Sequence, residues 1–153
     1  ENKELLKELH RLGLKRVLWG VESADDGVLK ALNKHLTLEQ IDETLAVSHE
    51  AGMENFALLM AGMPEEGPEE AKKTRDKVAE WLEKGLVQHF QILPLCLLPG
   101  TPLYDRAQKE GWYYQPDPFQ FEVTGGTPWL TQGEIADHLW KMREIGKPYG
   151  AFM

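Results

Sequence analysis

Three short apolar runs constrain this chain more than any other feature: RVLWGVE (16–22), ENFALLMA (54–61) and VQHFQILPL (87–95). Each has the length of a strand, and stretches with helical periodicity separate them. ENFALLMA is almost continuously apolar, as a strand covered on both faces requires. The alternation of helix and strand is that of a parallel α/β sheet with right-handed helical crossovers. A helical pattern precedes the first strand, so the unit is expected to begin partway through a repeat. Both outer strands of so small a sheet would carry unpaired edges, which folded proteins normally cover.

Local signals mark the helices. Residues 2–13 carry Leu5, Leu6, Leu9 and Leu12 at helical spacing, with Gly13 as a stop. Ser23 with Asp26 reads as a capping box for a short helix over 24–32. Thr37 with Gln40 caps a helix over 38–51, with Ile41, Leu45 and Val47 turned inward and Gly52 closing it. A charged helix follows over 68–84, ending at Gly85, and Thr101 starts another that runs to Glu110 before Gly111. Thr131 with Glu134 caps a final amphipathic helix whose inward residues are Ile135, Leu139 and Met142. The stretch between them, WYYQPDPFQFEVTGGTPWL (112–130), has the aromatics, prolines and glycines of a loop packed over something. The expected organisation is therefore a barrel-like unit over 1–111 and a loop-and-helix extension over 112–153.

The net charge of −8 on 153 residues argues against a nonspecific grip on nucleic acid or on an anionic membrane. No apolar run approaches the roughly 18–20 residues of a membrane span. The first residues, ENKELLKELHRLGL, form a charged amphipathic helix and not a signal peptide. They lack an initiating Met, so the chain is expected to begin inside a longer protein. Cys96 is the single cysteine. One thiol makes neither an intrachain disulfide nor a thiolate cage, and its apolar neighbours (LPLCLLPG) suit a buried core position. The histidines (His10, His35, His49, His89 and His138) show no ligand spacing, so no metal site is expected from this chain alone.

Three stretches fall at C-terminal strand ends: GVES (20–23), MAGMPEE (60–66) and LPLCLLPGTPLY (93–104). Parallel α/β folds bind ligands at that end, although βα loops need Gly, Pro and capping residues in any case. In order, GVES-x(3)-G-V-L-K-x-L-N-K, T-x-E-Q, E-A-G-M, an apolar strand, G-M-P-E-E and L-P-G-T-P-L-Y resemble the radical S-adenosylmethionine (radical SAM) superfamily. The likeness runs over residues 5–110 and is strongest to the B12-binding-domain and methylthiotransferase-like branches. It implies an α/β fold: about three parallel strands with flanking helices, the fourth to sixth strands of a partial (β/α) barrel.

The resemblance also implies roles for particular residues. Glu22 matches the polar residue ending the fourth strand, which contacts the methionyl or ribose part of SAM; a carboxylate accepts from ribose hydroxyls or the amino group. Ser23 has two readings, cap of the next helix or ligand contact. Met60 stands where an aliphatic side chain packs on adenine. Gly62 and Glu65 match the glycine and acid of a G-x-I-x-G-x-x-E pattern whose first glycine is here Leu58; a solvated turn is the competing role for Glu65. The family loop G-x-P-G-E-T reads GMPEEG, with its glycine displaced. Leu93 to Leu95 match the sixth strand, whose backbone meets adenine, while Pro99, Gly100 and Thr101 read as a turn into a helix.

The superfamily's C-x(3)-C-x(2)-C motif, whose thiolates hold the 4Fe-4S cluster at which SAM is reductively cleaved, is not in this sequence. GGTP (125–128) looks like the family's glycine-rich amino-group motif but follows the wrong strand. The expected parent is thus a cytoplasmic radical SAM iron–sulfur enzyme with SAM, a 4Fe-4S cluster and, in some branches, cobalamin. This chain would be inactive without the missing N-terminal half of the barrel. The alternative is a stand-alone αβ binding domain that forms a homodimer through its outer strands. A phosphate-binding enzyme is disfavoured, because neither G-x(4)-G-K-[ST] nor G-x-G-x-x-G occurs.

Other side chains have plainer readings: Trp19 as core, His89 as a core or lumen-facing residue, and EEGPEEAKK as a solvated helix start with acids favoured at the positive dipole end. Trp112, Tyr113, Tyr114, Phe119 and Phe121 read as a substrate lid or as a cover on the barrel's open side.

Overall fold

The computed structural model describes residues 2–112, 123 and 125–151, and in it the three apolar runs form one parallel sheet. Helix α1 (Asn2–Arg11) leads into β1 (Arg16–Glu22), followed by α2 (Asp26–Ala31), α3 (Leu38–Glu50) and β2 (Glu54–Ala61). Helix α4 (Pro68–Glu83), β3 (His89–Pro94), α5 (Pro102–Glu110) and α6 (Gln132–Gly146) complete the order, with a 3-10 turn at Lys147–Tyr149. The sheet order is β1–β2–β3, with Leu18 opposite Phe56 and Phe56 opposite His89. Consecutive strands are neighbours, as helical crossovers between parallel strands allow. The expected fold class holds.

Side-chain alternation divides the sheet into two faces. Ala57, Leu59, Ala61, Phe90 and Ile92 join Ile41, Leu45, Val78, Trp81, Ile135 and Met142 in the main core. Trp19 is partly buried and packs against that core, with its indole N–H donating to Asn55 Oδ1 at 2.8 Å. Asn55 is itself fully buried and donates to Leu45 O and Leu86 O, so each part of its amide is satisfied. The opposite face carries Leu18, Gly20, Leu58, His89 and Gln91, and Leu18 is 58% exposed there. His89 lies on this second face, with its ring 6.1 Å from that of Phe56.

The outer edges are handled unequally. Phe90 N–H donates to Ala151 O at 2.8 Å, so the segment after α6 adds a bond to the free side of β3. Among the described residues, no strand pairs with the far side of β1.

Most caps fall where local chemistry put them. Thr37–Gln40 and Thr131–Glu134 form capping boxes, and Thr101 caps α5. Ile41 and Leu45 are buried, whereas Val47 is half-buried. Ser23 is a correction: Asp25, not Ser23, caps α2, accepting from Gly27 N–H and Val28 N–H. Ser23 is instead fully buried, with its hydroxyl 3.3 Å from Thr74 Oγ1 of α4 and accepting from Asp25 N–H. The helix accordingly starts two residues later than expected. Cys96 is a second correction, half-buried and not in the core. GGTP is a local turn, in which Thr127 Oγ1 accepts from Trp129 N–H and Leu130 N–H just before α6. Of the aromatic stretch, Tyr113, Tyr114, Phe119 and Phe121 lie outside the described residues; Trp112 packs edge-on against Trp129 at 5.7 Å.

Candidate functional site

The sequence-predicted residues gather along the C-terminal edge of the sheet, because each ends or follows a parallel strand. Glu22 is opposite Leu59, Met60 is opposite Leu93, and Leu95 N–H donates to Ala61 O at 2.8 Å. Met60 and Leu95 join Val28, Met63, Leu97 and Ala107 in a second apolar cluster that seats α5 over this edge.

Glu22 sits at an irregularity that the sequence alone does not announce. The β1–β2 register slips between Gly20 and Glu22, and Glu22 adopts φ +67, uncommon for a residue with a Cβ. Its Oε1 accepts from Lys34 Nζ at 2.9 Å, with the two side chains only 20% and 28% exposed. Lys34 is thus a structural partner of Glu22 that the sequence does not show. Lys34 reaches it because α2 ends in a Schellman-type turn: Asn33 has φ +57, its N–H bonds Lys30 O, and Lys34 N–H bonds Leu29 O. Gly20 makes room, since a Cβ there would meet Glu22 Oε1 at 2.9 Å and Lys34 Nζ at 3.2 Å. The tip of β1 therefore presents a carboxylate and an ammonium side by side. Such a pair can accept from a ligand's amino or hydroxyl groups and donate to its carboxylate.

At the tip of β2 the loop is held from within. Gly62 has φ +79, and a Cβ on it would meet Ile135 Cδ1 at 2.9 Å, so its close backbone approach is to α6. Glu65 is exposed with φ +64, whereas Glu66 is fully buried. Both facts bear on the displaced glycine of GMPEEG. Glu65, standing where G-x-P-G-E-T has its glycine, takes the left-handed conformation that glycine adopts most readily, and Glu66 follows it in the position of the acid. The reading of EEGPEE as wholly solvated is corrected at Glu66. Its Oε2 accepts Gly62 N–H at 2.5 Å and Met63 N–H at 3.2 Å. Burial pushes the Glu66 carboxyl up to about 7, against the pull of those two N–H groups and of Arg75.

Relief of strain at Glu65 is directly testable. Glu65→Gly is expected to raise stability by roughly 1 kcal/mol, since a side chain in left-handed geometry costs about 1–2 kcal/mol and glycine gives back part of this through its freer unfolded state. Chemical denaturation should show a higher midpoint; a lower one would contradict this account of the loop.

The second polar centre, Glu66 with His138 and Arg75, was missed by sequence reasoning, because its burial depends on a helix more than 60 residues downstream. Lys34 was missed as a partner, although Asn33 after an apolar helix is the sort of signal that marks such a turn. No group of three or more His, Cys, Asp or Glu suited to a metal occurs among the described residues.

Fold and site together define a three-unit segment of a parallel α/β barrel with polar groups gathered at the C-terminal strand edge. This chain belongs to the radical SAM superfamily, whose family model matches residues 1–78. It is 28% identical over 109 residues to the hopanoid C-2 methylase of Rhodopseudomonas palustris, covering 71% of this chain and 20% of that protein. It is 26% identical over 137 residues to the anaerobic magnesium-protoporphyrin IX monomethyl ester cyclase of Cereibacter sphaeroides, covering 89% of this chain and 22% of that one. The chain thus spans about a fifth of the length of these curated relatives. Among solved structures it resembles coproporphyrinogen III oxidase (HemN) from Escherichia coli, a radical SAM enzyme, with TM-score 0.66 and 21% identity, covering 97% of this chain and 30% of that one. It also resembles the radical SAM methyltransferase TsrM from Kitasatospora setae, solved with cobalamin and a 4Fe-4S cluster, with TM-score 0.60 and 20% identity, covering 71% of this chain and 20% of that one. These two likenesses establish the fold. No helix among the described residues is long and apolar enough to cross a membrane.

Proposed function

We propose that this chain is the SAM-binding second half of a radical SAM barrel, its fourth to sixth βα units, working with polypeptide that supplies the cluster-binding cysteines. The observation that carries the reading is the Glu22–Lys34 pair at the tip of β1, within the matched residues. Single Cys96 and the lack of a metal-ligand cluster among the described residues do not fit a 4Fe-4S cluster. SAM does fit. In this family SAM is the group that is reductively cleaved, and the chain's part is to bind and orient it. Glu22 would accept from its amino group or ribose hydroxyls, and Lys34 would donate to its carboxylate. Met60 and Leu93, paired across β2 and β3, would offer apolar surface to adenine. Leu95 N–H is committed to Ala61 O, which fixes this residue beside the tip of β2. Ser23, Gly62 and Glu65 would act through the backbone shape at the two strand tips. The completed enzyme would carry out radical-based oxidoreduction or methyl or methylthio transfer, with cobalamin as a further cofactor only if it belongs to a branch that uses it, as TsrM does.

Reconstitution with iron and sulfide tests the half-site reading. The chain alone is expected to develop no iron–sulfur absorbance and to make no 5′-deoxyadenosine from SAM. Turnover by this chain alone would contradict it.

One observation favours a second reading. The far side of β1 is unpaired among the described residues while that of β3 receives Ala151, so self-association would use β1 against β1 about a two-fold axis. Light scattering decides it: a stable dimer lost on placing Pro at Leu18 supports this reading, and a monomer removes it.

A further inference from the structure

A buried polar chain leads from the tip of β2 to α6 and takes no part in the contacts assigned to SAM. Glu66 Oε2 accepts Gly62 N–H and Met63 N–H, while Oε1 has no hydrogen-bond partner. Oε1 lies 3.9 Å from His138 Nε2, which also has none, and the two residues are 0% and 1% exposed. On the other side of the imidazole, Nδ1 is 2.9 Å from Arg75 Nη1. A guanidinium only donates, so Nδ1 is the acceptor. Burial and the Arg75 charge lower the His138 pKa to about 4, so the ring is neutral near neutrality and its one proton is on Nε2.

Nε2–H therefore faces Glu66 Oε1, and whether the two can bond depends on one further proton. Oε2 is an acceptor already, so a protonated Glu66 carries its hydrogen on Oε1. Its hydroxyl oxygen is then an uncharged and much weaker acceptor for Nε2–H, and the gap stays open. An ionised Glu66 instead accepts Nε2–H in a charge-assisted bond, which needs an approach of about 1 Å to reach its usual length. The other charged groups around the pair are Glu70 and Arg75 from α4 and Asp137 and Lys141 from α6.

We propose that Glu66 and His138, with Arg75 fixing the imidazole tautomer, form a proton-operated latch that positions the Gly62–Met63 backbone against α6. Ionisation of Glu66 closes the latch and protonation opens it. Gly62 is the contact point on both sides, since its N–H is held by Glu66 and Ile135 of α6 fills the space a Cβ on it would need. That makes Glu66 and His138 positioning residues for the cofactor loop, a consequence that rests on the SAM-binding reading above; the latch itself does not.

NMR of the 15N-labelled chain between about pH 5 and about pH 9 tests it. The His138 ring is expected to keep its Nε2–H tautomer throughout. Its Nε2 signal and the Gly62 and Met63 amides should titrate together with one midpoint near pH 7, and Glu66→Gln should abolish all three titrations. An Nδ1–H tautomer, flat Gly62 and Met63 amides, or titration that survives Glu66→Gln would overturn the proposal. If that variant does not fold, Arg75→Met carries the test: loss of the donor should let the ring proton move to Nδ1, and an unchanged tautomer would overturn the proposal. No SAM is present in these measurements. Their failure leaves the SAM-binding reading intact, and absence of SAM binding leaves the latch standing.

Discussion

Gly62→Ala is expected to destabilise the protein by about 3 kcal/mol, the sum of two local costs. The first is conformational: Gly62 has φ +79, and a side chain in the left-handed region costs about 1–2 kcal/mol. The second is steric, since the new methyl would lie 2.9 Å from Ile135 Cδ1, and overpacking of a filled core costs about 1–3 kcal/mol. Ile135 is 1% exposed, so its methyl has little room to retreat. Ile135→Val removes that methyl. In the Gly62→Ala background it should therefore recover the steric part and leave the conformational part. Equilibrium denaturation of the four proteins measures this, and strict additivity of the two substitutions would rule out the contact between loop and helix.

The second large effect is on the pH dependence of stability. Glu66 has a folded pKa of about 7 against 4.5 in the reference state, so the unfolded chain binds fewer protons here between pH 4.5 and about 7, and stability falls as pH rises through that window. His138 has a folded pKa of about 4 against 6.5, so the unfolded chain binds more protons between about 4 and 6.5, and stability rises with pH there. Each contribution is on the order of 3 kcal/mol across its window. Where the windows overlap they cancel: one proton is bound by the pair in either state, on Glu66 when folded and on His138 when unfolded. Removing one partner uncovers the other. Glu66→Gln should give a protein whose stability climbs by about 3 kcal/mol from pH 4 to 6.5, and His138→Gln one whose stability declines by a similar amount from pH 4.5 to 7. Urea denaturation across that range reads both slopes, and slopes of the same sign in the two variants would refute the assignment.

The order of elements was legible because it depends on local chemistry. Three apolar runs, the Thr37–Gln40 and Thr131–Glu134 boxes and the Thr101 cap each act within a few residues, and each appears where its sequence put it. Ser23 shows where that reasoning stops. Ser23 and Asp25 are equally good caps by type; Thr74, from a helix 50 residues away, binds the Ser23 hydroxyl and leaves the cap to Asp25. The candidate site was half legible for the same reason. The strand tips and Glu22 follow from the alternation of strands and helices, but the Lys34 contact needs the left-handed Asn33, and the burial of Glu66 needs α6. In GMPEEG the two adjacent glutamates look alike in sequence. Backbone geometry separates them, turning Glu65 to solvent at φ +64 and sending Glu66 inward to the Gly62 and Met63 N–H groups.

Backbone amide shifts of this chain on titration with SAM test the central claim most directly. Without a cluster, the half-site is expected to bind weakly, with a Kd on the order of 1 mM. The perturbed amides should be those of Gly20 to Ser23, Lys34, Met60 to Met63, Leu93 and Leu95, and Glu22→Ala should remove the response along that whole edge. Perturbations confined to the opposite strand ends, or an unchanged response in Glu22→Ala, would contradict the assignment of the C-terminal strand edge as half of a SAM site.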